Sequence, residues 1–198
     1  IMRFQSALAL QCFTNEYIYT QTDKETKLLE MLDVMIEKTL SNGQQPSPQP
    51  ILCLASYRAL NNYEWCDALT VNTDIEEVFA RQVREPKEES RLKANIPILD
   101  KITDNISSKV REQYEENPYP RWVNLGLPFH PKTTAQLVKE LNLRIFDNAA
   151  NDRPAPNILI AGCGTGQHSI GTASRFKDSN LLAIDLSLSS LAYAKRKT

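Results

Sequence analysis

The sequence predicts an α/β protein in which an N-terminal helical region precedes the first β-α-β-α units of a parallel sheet, and three observations predict it. Over residues 1–116 apolar residues recur at three- and four-residue steps with little alternation, the period of helices that bury one face. From residue 157 proline disappears, and four of the six glycines fall there. Within that stretch two short apolar runs, NILIA (157–161) and NLLAIDL (180–186), are each followed by a helix-compatible segment. Buried parallel strands joined by crossover helices read this way.

Taken in order, the clearest helix is predicted over residues 23–40. Thr22 and Glu25 stand in capping-box spacing, Leu28, Leu32, Met35 and Ile36 line one face, and Asn42-Gly43 supplies the stop. Residues 43–50 (GQQPSPQP) are expected to form a connection, because three prolines remove donors and fix φ. Short helices are expected over 51–69 and 73–83, the second opened by Thr73 with Glu76, and the charged run 84–93 reads as a solvated helix or loop. No repeat on the order of 30 to 50 residues is legible across 1–100.

A further amphipathic helix over 104–116 carries Ile106, Val110 and Tyr114 on one side and ends at Asn117-Pro118, since the residue before proline is pushed out of the α region. Residues 118–131 (PYPRWVNLGLPFHP) combine four prolines with three aromatics, too apolar for a free linker and too proline-rich for a helix. Thr133 and Gln136 announce a helix over 134–143, and residues 147–156 form a polar loop. The organisation is therefore a helical region at 1–116, a connector with a short helix at 117–156, and the sheet-bearing unit at 157–198, where NILIA is expected to be buried on both faces.

Composition excludes several function classes. A net charge of −1 with interspersed acids and bases provides no basic stripe, which disfavours a dedicated nucleic-acid binder. Cys12, Cys53, Cys66 and Cys163 form no C-x-x-C pair and are accompanied only by His130 and His168, which argues against a metal site and for reduced thiols in the cytoplasm. No apolar run approaches the roughly 20 residues of a membrane helix, so no membrane partner is expected. Because Ile1 precedes Met2, the natural N-terminus is expected to lie upstream or to have been trimmed.

The chemistry concentrates at Ala161-Gly162-Cys163-Gly164-Thr165-Gly166, immediately after the first strand. Glycines permit a sharp strand-to-helix turn and remove the Cβ atoms that would hold a ligand off the main-chain N–H groups. Asp185 ends the second strand about 20 residues further on, the place of a carboxylate that accepts ribose hydroxyls. Cys163 is the small residue between two glycines; no third group orients His168 as a base for it. The dinucleotide fingerprint wants its third glycine at the sixth position, which is Gln167 here, so the spacing G-x-G-x-G disfavours an NAD-dependent oxidoreductase.

ILIAGCGTGQH (158–168) followed by LLAIDLSLSSLAYAKRK (181–197) resembles the first two motifs of class I S-adenosylmethionine-dependent methyltransferases. VREQYEENPYPRW (110–122) is similar to the lead-in of a bacterial subgroup in which tetratricopeptide repeats precede such a domain. The resemblance implies a Rossmann-like sheet, S-adenosylmethionine as cofactor and methyl transfer to an unidentified protein or small-molecule acceptor. It implies that Gly162, Gly164 and Gly166 line the methionine part, that Ala161, Cys163 and Thr165 belong to the same cofactor-binding stretch, that Asp185 holds the ribose, and that Leu186 and Ser187 lie near the adenosine. Many members carry an acidic residue where this chain has Ile160. The family sheet usually has seven strands, so the chain is expected to stop before the domain is complete and to be inactive alone. Tyr114, Tyr119, Arg121 and Trp122 are expected either to fold over the cofactor pocket or to pack the helical layer onto the sheet. The rival of another class is a helical protein-interaction module whose Rossmann-like unit binds nothing, favoured by Ile160.

Overall fold

Thr22 caps the longest helix as its spacing predicts: its hydroxyl accepts from the Glu25 N–H, and the Glu25 carboxylate accepts from the Thr22 N–H. The computed structural model describes residues 1–100, 103–116, 118–128, 130–146 and 155–198 and divides into two units, Ile1–Glu88 and Glu89–Thr198.

The first unit is helical. Helices α1 (Met2–Thr14), α2 (Asp23–Ser41) and α3 (Pro48–Ala55) pack together around Ala9, Ile36, Leu52 and Leu54, all fully buried. The inward stripe of α2 is Leu29, Leu32, Ile36 and Leu40, a continuous row at three- and four-residue steps. Leu28 and Met35, expected inward, are 51% and 45% exposed, because the buried row lies one residue round the helix. The connection expected over 43–50 is shorter than its prolines suggested. Pro48 and Pro50 belong to the first turn of α3, where a missing N–H removes no helical bond.

Two 3₁₀ turns, Leu60–Asn62 and Glu64–Ala68, replace the second half of the helix expected over 51–69. Helix α4 (Glu76–Phe79) starts without a side-chain cap. The predicted Thr73 and Glu76 pair does not form one, since Asn72 Oδ1 already accepts from the N–H groups of Asp74 and Ile75. A π turn, Ala80–Arg84, joins α4 to α5 (Glu85–Lys93), so the charged run is helical. The π turn places Gln82 in the core, fully buried. Its Nε2 donates to the carbonyls of Ala9 and Ala55, and its Oε1 accepts from the Leu60 N–H, which joins three segments through one side chain.

The second unit holds the end of α5, then α6 (Asn105–Glu116), α7 (Thr134–Glu140), β1 (Asn157–Ala161), α8 (Gln167–Arg175), β2 (Asn180–Ile184) and α9 (Leu188–Arg196). Thr133 and Gln136 form the expected capping box of α7. The expected inner face of α6 is instead open: Ile106, Val110 and Tyr114 are all exposed. Strands β1 and β2 are parallel, in register from Asn157 opposite Asn180 to Ala161 opposite Ile184, so α/β in the order β-α-β-α is observed. Ile160, Leu181 and Ala183 face α8 and α9. On the opposite face Leu159 and Leu182 are 62% and 57% exposed. The expectation that NILIA is buried on both faces is thus corrected: among the described residues helices cover one side of the pair. No helix among them is long and apolar enough to cross a membrane. The boundary expected at 117, Phe129 and most of the predicted loop, residues 147–154, lie outside the described residues.

Candidate functional site

The turn after β1 is built on three glycines with positive φ, Gly162 (72°), Gly164 (52°) and Gly166 (85°), a backbone region that L side chains rarely occupy. Their surroundings divide them. A Cβ on Gly162 would meet nothing within 4 Å, and one on Gly164 would meet only the Tyr119 carbonyl at 3.9 Å. A Cβ on Gly166 would fall 2.6 Å from the Ala194 Cβ. The first two glycines therefore keep a cradle open, while the third lets α8 start against α9.

Most turn N–H groups are consumed inside the fold. Those of Gly162 and Cys163 donate to the Ile184 carbonyl at 2.8 and 3.0 Å, that of Gly166 to the Cys163 carbonyl, and that of Gly164 to Asp185 Oδ2 at 2.8 Å. The expected bed of free main-chain donors is corrected accordingly: the close approach of Ile184 and Asp185 claims three of them and the turn itself the fourth. Asp185, at the end of β2, accepts from the Ser187 N–H through Oδ1 at 2.9 Å. Each carboxylate oxygen accepts one backbone bond and retains capacity for another. Asp185 is half-buried beside the open cradle.

The predicted site residues separate into two groups. Ala161, Gly162 and Leu186 are exposed and Gly164 and Asp185 half-buried, so these five border the cradle. Cys163, Thr165, Gly166 and Ser187 are buried and support it from behind. Burial, and secondarily the Asp185 carboxylate, push the Cys163 thiol up to about 11, which leaves it protonated and non-nucleophilic near neutrality. Ile160 is a core residue of the helix-covered face.

The aromatic connector lies against this turn. Trp122 Nε1 donates to the Thr165 carbonyl at 2.9 Å, the Thr165 hydroxyl donates to the Pro120 carbonyl at 2.8 Å, and the Tyr193 hydroxyl donates to the Trp122 carbonyl at 2.5 Å. The Trp122 and Tyr193 rings meet edge to face, and the Lys197 ammonium stands 5.0 Å from the Trp122 ring centre. The Tyr119–Pro120 peptide is cis, and the Tyr114 and Tyr119 side chains remain exposed.

Two acids that sequence reasoning did not single out complete the frame. Glu89, 11% exposed, pairs with Arg196 of α9, 8% exposed, at 2.8 Å. Glu115 accepts from the Leu188 N–H and from the Ser189 N–H and hydroxyl at the start of α9. Neither carries a sequence signal, since both sit within runs of charge that ordinarily face water. Among the described residues no cluster of three His, Cys, Asp or Glu side chains could hold a metal ion. No family model matches the chain, and no curated protein or solved structure is significantly similar to it.

Proposed function

We propose that the cradle bordered by Ala161, Gly162, Gly164, Asp185 and Leu186 binds S-adenosylmethionine, and that the protein serves methyl transfer to an acceptor of unassigned class. The β-α-β-α unit is then the opening of a Rossmann-like sheet. The observation that carries this reading is the half-buried Asp185 carboxylate, fixed by the N–H groups of Gly164 and Ser187 beside an open glycine turn. A carboxylate held there can accept both hydroxyls of a ribose. The cofactor supplies an activated methyl on a sulfonium that is already a good leaving group. What the chain contributes is orientation: Gly162 and Gly164 admit the ligand, Asp185 grips one end of it, and Leu186 offers an apolar surface next to that grip. The motif resemblance at 158–168 and 181–197 supports the cofactor assignment.

A protein-interaction module without cofactor is the second reading. It is favoured by Ile160, which places a buried aliphatic side chain where an acid would orient the methionyl amino group, and by the engaged N–H groups of the turn. Isothermal titration with S-adenosylhomocysteine and with NAD separates the readings. The methyltransferase reading expects S-adenosylhomocysteine alone to bind, and Asp185→Ala to weaken it at least about tenfold, since hydrogen bonds to a charged group are the strong ones. Binding of neither ligand supports the interaction module, and binding of NAD alone an oxidoreductase.

A further inference from the structure

Helix α9 begins three residues after Asp185, so whatever fixes its first turn also fixes the carboxylate. The first three N–H groups of a helix have no partner within it, and here each is satisfied by a side chain. Ser190 N–H donates to the Ser187 hydroxyl at 3.0 Å, the ordinary N-cap bond. The N–H groups of Leu188 and Ser189 both donate to Glu115 Oε1, from a helix 73 residues earlier in the chain. The same helix end takes more bonds: the Ser187 hydroxyl donates to the Tyr114 carbonyl at 3.0 Å, and the Ser189 hydroxyl lies 2.7 Å from both the Glu115 carbonyl and Glu115 Oε2. Lys93 Nζ stands 3.5 Å from Glu115 Oε2 and 2.5 Å from the Ser189 hydroxyl, which balances the charge of the cap.

We infer that Glu115 is a positioning residue for the ligand-facing carboxylate: by capping α9 from outside, it sets the 185–188 turn and hence where Asp185 points. The chain of contacts is short. Glu115 holds the N–H groups of residues 188 and 189, the Ser187 N–H holds Asp185 Oδ1, and Asp185 Oδ2 holds the Gly164 N–H. A carboxylate at a helix N-terminus also meets the positive end of the helix dipole. Burial alone would raise the Glu115 pKa, but the Ser189 hydroxyl, the N–H groups of Ser189 and Leu188, and Lys93 together hold it below the usual glutamate value. The group is thus ionised and bonded at neutral pH, as a cap requires. With no Glu115, α9 would keep its Ser187 cap and its packing through Ala192 and Tyr193, both buried, so the helix survives while the turn before it gains freedom.

This inference rests on the cofactor reading for its consequence and on geometry alone for its first step, and the two are tested separately. Amide resonances of the protein are recorded for the parent chain, Glu115→Ala and Glu115→Gln, and S-adenosylhomocysteine affinity is measured on the same samples. The Ala variant is expected to shift and broaden the amides of Ser187 and Gly164, which touch Asp185 and not Glu115. It is expected to bind S-adenosylhomocysteine about tenfold more weakly, the loss typical of a missing helix cap. Gln keeps one acceptor oxygen for both N–H groups and should recover most of the amide pattern and part of the affinity. Unchanged Ser187 and Gly164 amides in a folded Ala variant would overturn the positioning role whatever the ligand does; if Ala does not fold, Glu115→Asp, whose shorter side chain draws the acceptor away from the Leu188 and Ser189 N–H groups, takes its place under the same criterion. A parent chain that binds no S-adenosylhomocysteine, with the amide shifts as expected, removes the cofactor reading and leaves the positioning of Asp185 standing.

Discussion

The two units bury different chemistry. In Ile1–Glu88 the fully buried side chains are aliphatic, Ile36, Leu52, Leu54, Leu60 and Val78 among them, with Gln82 the polar exception. In Glu89–Thr198 the largest fully buried side chains are Thr165, Ser187 and Ser190. The second unit also leaves a groove of about 390 Å³ beside Ile170, Leu181, Ala183 and Leu191. Aliphatic burial is strong but non-directional, so it fixes that helices pack more than which atom faces which. Hydroxyls bonded to specific carbonyls do the reverse. The unit with the candidate site is held by bonds that specify geometry, which suits a cradle whose Asp185 must point one way.

The sharpest test of the first half is Leu54→Ala. Leu54 has no exposure, so removing its branched end should cost the helical unit about 2–5 kcal/mol through lost transfer energy and a residual cavity. Trp65 lies in this unit and Trp122 in the other, so a Trp122→Phe background reports unfolding of the first unit by fluorescence. A loss well below about 1 kcal/mol would mean that the aliphatic cluster collapses without penalty and the contrast is overstated.

The second half breaks at Gly166. Alanine there must adopt φ near 85° and also displace the Ala194 Cβ, which its own Cβ would meet at 2.6 Å. Strain and overpacking together should cost about 2–4 kcal/mol, read from Trp122 fluorescence in a Trp65→Phe background. Gly162→Ala carries the strain without the collision and should cost less, by about 1–3 kcal/mol. Equal losses at the two positions would show that Gly166 does not seat α8 against α9.

Much of this frame was legible in the sequence where a local rule acts alone. The capping boxes at Thr22 and Thr133, both strands, the helices that follow them and the glycine turn fall where spacing puts them, because each is settled within a few residues. What was not legible depends on distant partners. The inward stripe of α2 is chosen by α3 and the Glu64–Ala68 turn and not by its own sequence, the π turn by the buried bonds of Gln82, and the open face of β1 by which helices reach it. At the site, the glycines and Asp185 stood out by type and spacing, whereas Glu115 and Glu89 are ordinary acids made special by what they touch. The same dependence turned three expected free N–H groups, those of Gly162, Cys163 and Gly164, into internal bonds.

The smallest expected effect is the most specific to the contrast. Glu115 has a folded pKa below the ordinary glutamate value of 4.5, so its stabilisation of the second unit is complete above that value. It is lost as pH falls through the depressed folded value, because the unfolded chain binds the proton more readily there. Glu25, Asp67 and Glu76 of the first unit are lowered as well, but by hydrogen bonds to Thr22, Lys87 and Arg84 at the surface, where solvent screens them. Acid titration at constant salt should therefore weaken the second unit more than the first, followed through Trp122 and Trp65 in the paired single-tryptophan backgrounds. In Glu115→Gln the acid sensitivity of the second unit should shrink to what Asp104, also lowered by its bonds to Ser107, contributes at the surface, while its stability at neutral pH already sits at the lower level. Were both units to lose stability in parallel with Glu115 intact, the polar lacing at α9 would contribute no more than surface pairs do.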